Sequence, residues 1–190
     1  CKSSFHVKPG PAVNSPIAIS GATFDNRYGL ALHQLTDSPV TVTGSAITGS
    51  LYRAVGLFAA QLRSPVSFTD TTLVANTAGQ HVLYVQSLAA LTDSPLTATR
   101  CTFTSTATSG DGYGMFFESA LTDSAVTLTD STVKSHGAAL KFASLTTSDV
   151  TLTTTYLTTR DTAVDWVDIT ANVDSHIGGA GNCSLSISRA

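Results

Sequence analysis

The stretch Leu35-Thr36-Asp37-Ser38-Pro39-Val40-Thr41-Val42-Thr43 carries two signals in nine residues. Its first half is a polar turn phrase. Its second half alternates apolar and hydroxyl residues, the period of a strand with one buried face. The turn phrase returns at Leu91-Thr92-Asp93-Ser94-Pro95-Leu96, identical at five of six positions. Variants stand at Val13-Asn14-Ser15-Pro16-Ile17, Leu62-Arg63-Ser64-Pro65-Val66, Leu121-Thr122-Asp123-Ser124-Ala125-Val126 and Leu145-Thr146-Thr147-Ser148-Asp149-Val150. Cut at this phrase, the chain divides into units 14–35, 36–62, 63–91, 92–121, 122–145 and 146–169, with an imperfect seventh from Thr170. Unit lengths of 22 to 30 residues around a fixed internal pattern exclude a helical repeat. They suit a solenoid of short strands whose loops absorb insertions.

Each unit holds three strand signals. The first is the V-T-V-T type. The second centres on one apolar residue (Phe24, Ile47, Leu73, Phe103, Val133, Leu157), and the third often follows a small residue, as in Gly56-Leu57-Phe58-Ala59 and Gly114-Met115-Phe116-Phe117. Three short strands per turn of this length resemble the right-handed parallel β-helix of pectate-lyase-like proteins and surface adhesins. That resemblance covers nearly the whole chain and implies an all-β parallel β-helix (β-solenoid) of about seven coils in a single domain, 1–190. Residues 1–13 and 170–190 are expected as incomplete terminal coils. The scaffold hosts many activities, so the resemblance implies little about function.

Alternation assigns the faces. In the first strand Val40/Val42, Val66/Phe68, Leu96/Ala98, Val126/Leu128 and Val150/Leu152 point inward. Outward stand Thr41/Thr43, Ser67/Thr69, Thr97/Thr99, Thr127/Thr129 and Thr151/Thr153. These are two hydroxyl columns: the usual polar surface of a strand, an ice-binding face, since ranked T-x-T pairs resemble those of antifreeze solenoids, or a surface for O-glycans or lateral packing. In the second strand a column of small residues that includes Cys101 is expected inside. In the third strand the same reading puts Leu30/Leu32, Val82/Tyr84 and Met115/Phe117 inward and Phe58, Leu83, Val85 and Phe116 outward. Those four would form an apolar contact patch unless the turns 48–54, 74–81 and 104–112 cover it.

Composition bounds the function. Charged residues are 12% of the chain and the net charge is −3, which argues against a nucleic-acid partner. Ser and Thr together number 53 of 190 residues, but the patterned 42% of hydrophobic residues argues for a packed strand protein rather than a disordered stalk. No apolar run reaches the ~18 residues of a membrane-spanning helix. The carboxylates are dispersed. Asp37, Asp93 and Asp123 each sit in a T-D-S turn, and Asp161, Asp165 and Asp168 with Lys141 and Arg160 are a weak catalytic candidate, an ion pair between Asp165 and Lys141 being the simpler account. His6, His33, His81, His136 and His176 show no metal-ligand spacing. No catalytic residue, metal or cofactor is assigned. Asn182 heads an N-x-S sequon.

At the ends, Phe5-His6-Val7 resembles the third strand, and Cys183-Ser184-Leu185 matches Cys101-Thr102-Phe103. Solenoids normally need polar caps, and no cap helix is legible. The expectation is a non-catalytic extracellular or cell-surface structural solenoid, a segment or subunit of a filament or adhesin stacked head to tail. Cys1 and Cys183 would meet at the junction in an intermolecular disulfide. Glycans are possible partners, and a polysaccharide-binding or polysaccharide-cleaving β-helix is the remaining alternative.

Overall fold

The computed structural model describes residues 5–6, 10–106, 112–159 and 185–188. These residues contain no helix. Parallel strands stack into three sheets, forming a β-solenoid of about five turns with three strands per coil. Sheet B carries the V-T-V-T strands: Ile17–Ser20, Val40–Thr43, Val66–Thr69, Leu96–Thr99, Val126–Thr129 and Val150–Thr153, each in register with the next. Sheet C runs from Thr23–Asn26 through Ala46–Gly49, Thr72–Ala75, Thr102–Ser105 and Thr132–Ser135 to Tyr156–Thr159. Sheet A takes the third strands together with the pair that leads into each turn phrase: Ala12–Val13, Leu35–Thr36, Gln61–Leu62 and Leu91–Thr92. In the two later coils these fuse into Met115–Thr122 and Leu140–Thr146, with a register shift between Phe117 and Ala120.

Two of the three corners are built alike, and the sequence says why. Between sheets A and B one residue per coil adopts a left-handed backbone: Asn14, Asp37, Arg63, Asp93, Asp123 and Thr147, all with φ between 46° and 50°. Between sheets B and C the same role falls to Gly21, Gly44, Asp70, Arg100, Asp130 and Thr154. Gly, Asn and Asp tolerate this region best. The two arginines there form forked ion pairs with the aspartate one coil earlier: Arg63 Nε to Asp37 Oδ1 at 2.6 Å and Arg100 Nε to Asp70 Oδ1 at 2.7 Å. Each pair holds its aspartate carboxyl below the usual range, through the arginine hydrogen bond first.

The residue after each left-handed corner points inward and closes it. Ser38, Ser64, Ser94, Ser124 and Ser148 donate through Oγ to the carbonyl two residues back, on the far side of the turn. Each Oγ also accepts the N–H of the serine one coil earlier, from Ser15→Ser38 to Ser124→Ser148, at 2.9–3.1 Å. Buried polar groups are thereby satisfied. The expected small-residue column at the other corner behaves likewise, with Ser45, Thr71, Cys101, Ser131 and Thr155 donating to residues 43, 69, 99, 129 and 153. Cys101 is a buried free thiol whose pKa burial raises. Ser94→Ala removes one rung and strands the Ser64 N–H in the interior. A loss of about 1–3 kcal/mol in unfolding free energy is the expected result, measured by denaturant titration.

The described residues account for about five turns of the expected solenoid. Two expectations change. Leu83 and Val85, expected outside, are both 0% exposed and sit over the core, paired with Val55 and Leu57 on one side and Met115 and Phe117 on the other. Tyr84 faces outward instead. The reading slipped by one residue because Val82-Leu83-Tyr84-Val85 is apolar throughout and so carries no alternation, and a one-residue slip exchanges the faces. Lastly, Leu185 pairs with Val150 in sheet B and so does not take the sheet C place of Phe103. At the other end Phe5 and His6 pair with Leu30 and Ala31, as the third-strand resemblance of 5–7 implies. Cys1, Cys183, Asn182, Asp161, Asp165 and Asp168 lie outside the described residues.

Candidate functional site

Two outward surfaces merit comparison. On sheet B the threonine columns stand in register over five coils: Thr41 with Ser67, Thr97, Thr127 and Thr151, and Thr43 with Thr69, Thr99, Thr129 and Thr153. Ala18 and Ser20 extend them by one coil. No charged side chain interrupts the columns. Neighbouring hydroxyls lie about 4.8 Å apart between coils and about 6.7 Å apart along a strand. Sheet C continues the pattern with Thr72, Thr102 and Thr132 in its first outward column, then breaks it with Val74, Lys134 and Tyr156.

The second surface lies where sheet C turns into sheet A. From the first residue of the A–B corner to the end of the sheet C strand, every coil has the same length. The variation in coil length sits after it, largely at the C–A corner, in 27–29, 50–54, 76–82, 106–114 and 136–139. These turns bring aromatic and cationic side chains against the outer face of sheet A. Tyr28 stacks on Tyr52 with ring centroids 4.6 Å apart and meets Phe58 edge-on at 5.6 Å. Phe58 folds back over Gly56, where a Cβ would come within 2.5 Å of its ring. The Arg53 guanidinium lies 3.7 Å from the Tyr84 ring centre and 5.9 Å from that of Phe58. His81 stacks on Tyr113 at 5.0 Å and meets Phe116 edge-on at 5.1 Å. Its Nδ1 accepts the Tyr113 N–H at 3.2 Å. Lys141 Nζ donates to the Tyr113 hydroxyl at 3.0 Å and sits 4.6 Å and 5.1 Å from the Tyr113 and Phe116 ring centres. The exposed Arg27 lies 5.6 Å from the Tyr52 ring centre. The result is a stripe of alternating rings and cations along the solenoid axis, spanning five coils or about 19 Å at the usual strand spacing.

Phe58 and Phe116 therefore remain on an outward surface, half-buried under turn residues, while Leu83 and Val85 leave it for the core. Lys141 is engaged by Tyr113, and Asp165, its expected partner, lies outside the described residues. The stripe as such was not legible: Tyr28, Arg53, His81 and Tyr113 each stand two residues before the paired sheet A residues Leu30, Val55, Leu83 and Met115, but the turns ahead of them differ in length, so the shared position emerges only once that strand is placed. The available signal was the coincidence of aromatics with the variable turns. Among the described residues no group of three metal-ligating side chains comes together, and no helix is long and apolar enough to cross a membrane.

Electrostatics mark the centre of the stripe. Tyr84 is 8% exposed and donates its hydroxyl hydrogen bond to Glu118. Burial, then that bond, pushes its pKa up to about 12. Because the folded value lies above the ordinary value of 10.0, Tyr84 contributes stability that is fully present below about pH 10 and is lost as pH rises through about 12. A phenolate absorbance titration should show one tyrosine ionising late, and Tyr84→Phe should remove that step. Ionisation of every tyrosine in a single early step would contradict the geometry. Burial also lowers the Arg53 pKa, opposed by Tyr84, Tyr28 and Glu118.

No family model matches the chain, and no curated protein matches it. Among solved structures, one similar chain is that of QnrB1, a plasmid-mediated fluoroquinolone resistance protein, in a trypsin-treated form. The two are 12% identical over 73% of this chain and 83% of that one, with a TM-score of 0.14. A superposition of that quality carries no argument about fold or function.

Proposed function

We propose that the chain is a non-catalytic, extracellular structural solenoid, a segment or subunit of a surface filament or adhesin whose copies stack head to tail. The observation that carries the reading is the propagation of the serine ladder. Each rung accepts an N–H from the coil before it, and at the first described rung the exposed Ser15 Oγ meets only the Val13 carbonyl. Beside it, Ile17–Ser20 is a terminal strand of sheet B among the described residues. Ile17 and Gly21 point their N–H groups at the next coil, so alternation turns the N–H of Ala18 away from the described coils. A further coil of the same template fits on that side, as strand edges favour such pairing. Light scattering and electron microscopy should find concentration-dependent linear assemblies. Ala18→Pro removes an edge donor without touching a bond inside the coil and should leave a folded monomer. A wild-type chain that stays monomeric at all concentrations, or a proline variant that assembles equally well, refutes stacking.

The threonine columns of sheet B favour a second reading, ice binding. A grid of methyls and hydroxyls in register over five coils without a charge is suited to holding ordered water. Thermal hysteresis that disappears in Thr97→Lys/Thr127→Lys supports it. A wild-type chain without hysteresis removes it.

A further inference from the structure

The arginines among the described residues fall into two groups. Arg63 and Arg100 are exposed and forked onto aspartates of the preceding coil. Arg27, Arg53 and Lys141 sit on aromatic rings instead, and among the described residues none of them forms a salt bridge with a carboxylate. The one carboxylate that these contacts place beside them, Glu118, already accepts the Tyr84 hydroxyl bond. Arg53 Nε is buried with no acceptor. Glu118 keeps its charge in the Tyr84 bond and supports the Arg53 cation, but among the described residues three cations stand against this one carboxylate on the line, over a low-dielectric aromatic bed that strengthens their attraction for an anion.

We propose that this stripe binds a linear sulfated polysaccharide laid along the solenoid axis. Sulfate groups meet Arg27 and Arg53 at one end and Lys141 about 14 Å away at the other. The sugar rings between them lie against Tyr113 and Phe116. The pattern of charge, ring and charge along one axis matches a polymer that carries anions at intervals on ring-shaped units. Sulfate is favoured over carboxylate because guanidinium is weakly hydrated, as a sulfate ester is, so the pair gives up little water on contact. This site is independent of the stacking edge at Ile17–Ser20 and of the threonine face, and the three readings fail separately.

The test is calorimetric titration of the intact chain with dextran sulfate near physiological ionic strength, about 0.15 M. Polygalacturonate, neutral dextran and single-stranded DNA serve as comparison ligands. Dextran sulfate should bind, with affinity falling as salt rises, and the other three should bind roughly tenfold or more weakly. Arg53→Ala/Lys141→Ala should lose roughly tenfold or more in affinity. Arg27→Glu, on an exposed side chain, guards against a misfolded double variant and should by itself weaken binding severalfold. Arg63→Ala and Arg100→Ala should bind as the wild type does. The proposal is overturned by absence of binding, by polygalacturonate or DNA binding equally well, by neutral dextran binding equally well, or by Arg27→Glu and the double variant both retaining full affinity.

Discussion

Phe103→Ala should lower the unfolding free energy by about 3–5 kcal/mol, among the largest losses from a single truncation in this chain. Phe103 is fully buried at the centre of its sheet C strand, paired with Leu73 on one coil and Val133 on the next. Its ring meets Phe68, from sheet B of the coil before, edge-on at 6.3 Å. An aromatic pair in that geometry adds roughly 0.5–1.5 kcal/mol beyond area burial. The cavity would open against strands held on both sides by neighbouring coils, so it has little room to collapse, which places the cost towards the upper end. Phe103→Leu keeps most of the volume and should cost less than half as much. Equal losses for the two substitutions would mean that the ring is not in the core.

The parts of the coil legible in the sequence are those with constant spacing. From Leu35 to Val40 and from Val40 to Ala46 the distances recur unchanged in the later coils, because a one-residue left-handed corner admits no insertion. Alternation then assigns sheet B without ambiguity: Val40 and Val42 inside, Thr41 and Thr43 outside. The second column of small residues was legible as buried. That its members also close the corner through side-chain hydrogen bonds was not, because spacing carries no hydrogen-bond direction. The C–A corner obeys neither rule. Its turns differ in length, so Tyr52, His81 and Tyr113 cannot be aligned before the strands that follow them are placed. The same lack of an anchor explains Leu185. A three-residue match at Cys183 is too short to outweigh the pairing of Leu185-Ser186-Ile187-Ser188 with Val150–Thr153, which repeats the apolar-hydroxyl alternation of the five sheet B strands from Val40–Thr43 to Val150–Thr153.

The register of the third strand gives the other large expected effect. Leu83→Lys should abolish the folded state, whereas Phe116→Lys should fold. The two positions sit on neighbouring strands of sheet A, one residue out of step: Leu83 pairs with Met115, and Tyr84 pairs with Phe116. Leu83 is 0% exposed, flanked by Val55 and Met115 in the stacked core. A lysine there must either bury an ammonium without a partner or give up its proton, and either costs several kcal/mol. That is comparable with the whole stability of a typical domain, about 5–15 kcal/mol. Phe116 is half-buried on the outer face, where Lys141 already holds its ammonium over the same rings. A lysine at 116 can extend along the stripe to water, so its cost is the lost ring contacts with His81, Tyr84 and Tyr113 and a screened repulsion from Lys141, its partner in register. Circular dichroism and thermal melting of the two variants distinguish the faces. If Leu83→Lys were well folded and Phe116→Lys were not, Leu83 would be outside and the stripe would lose Tyr84, the ring on which Arg53 rests.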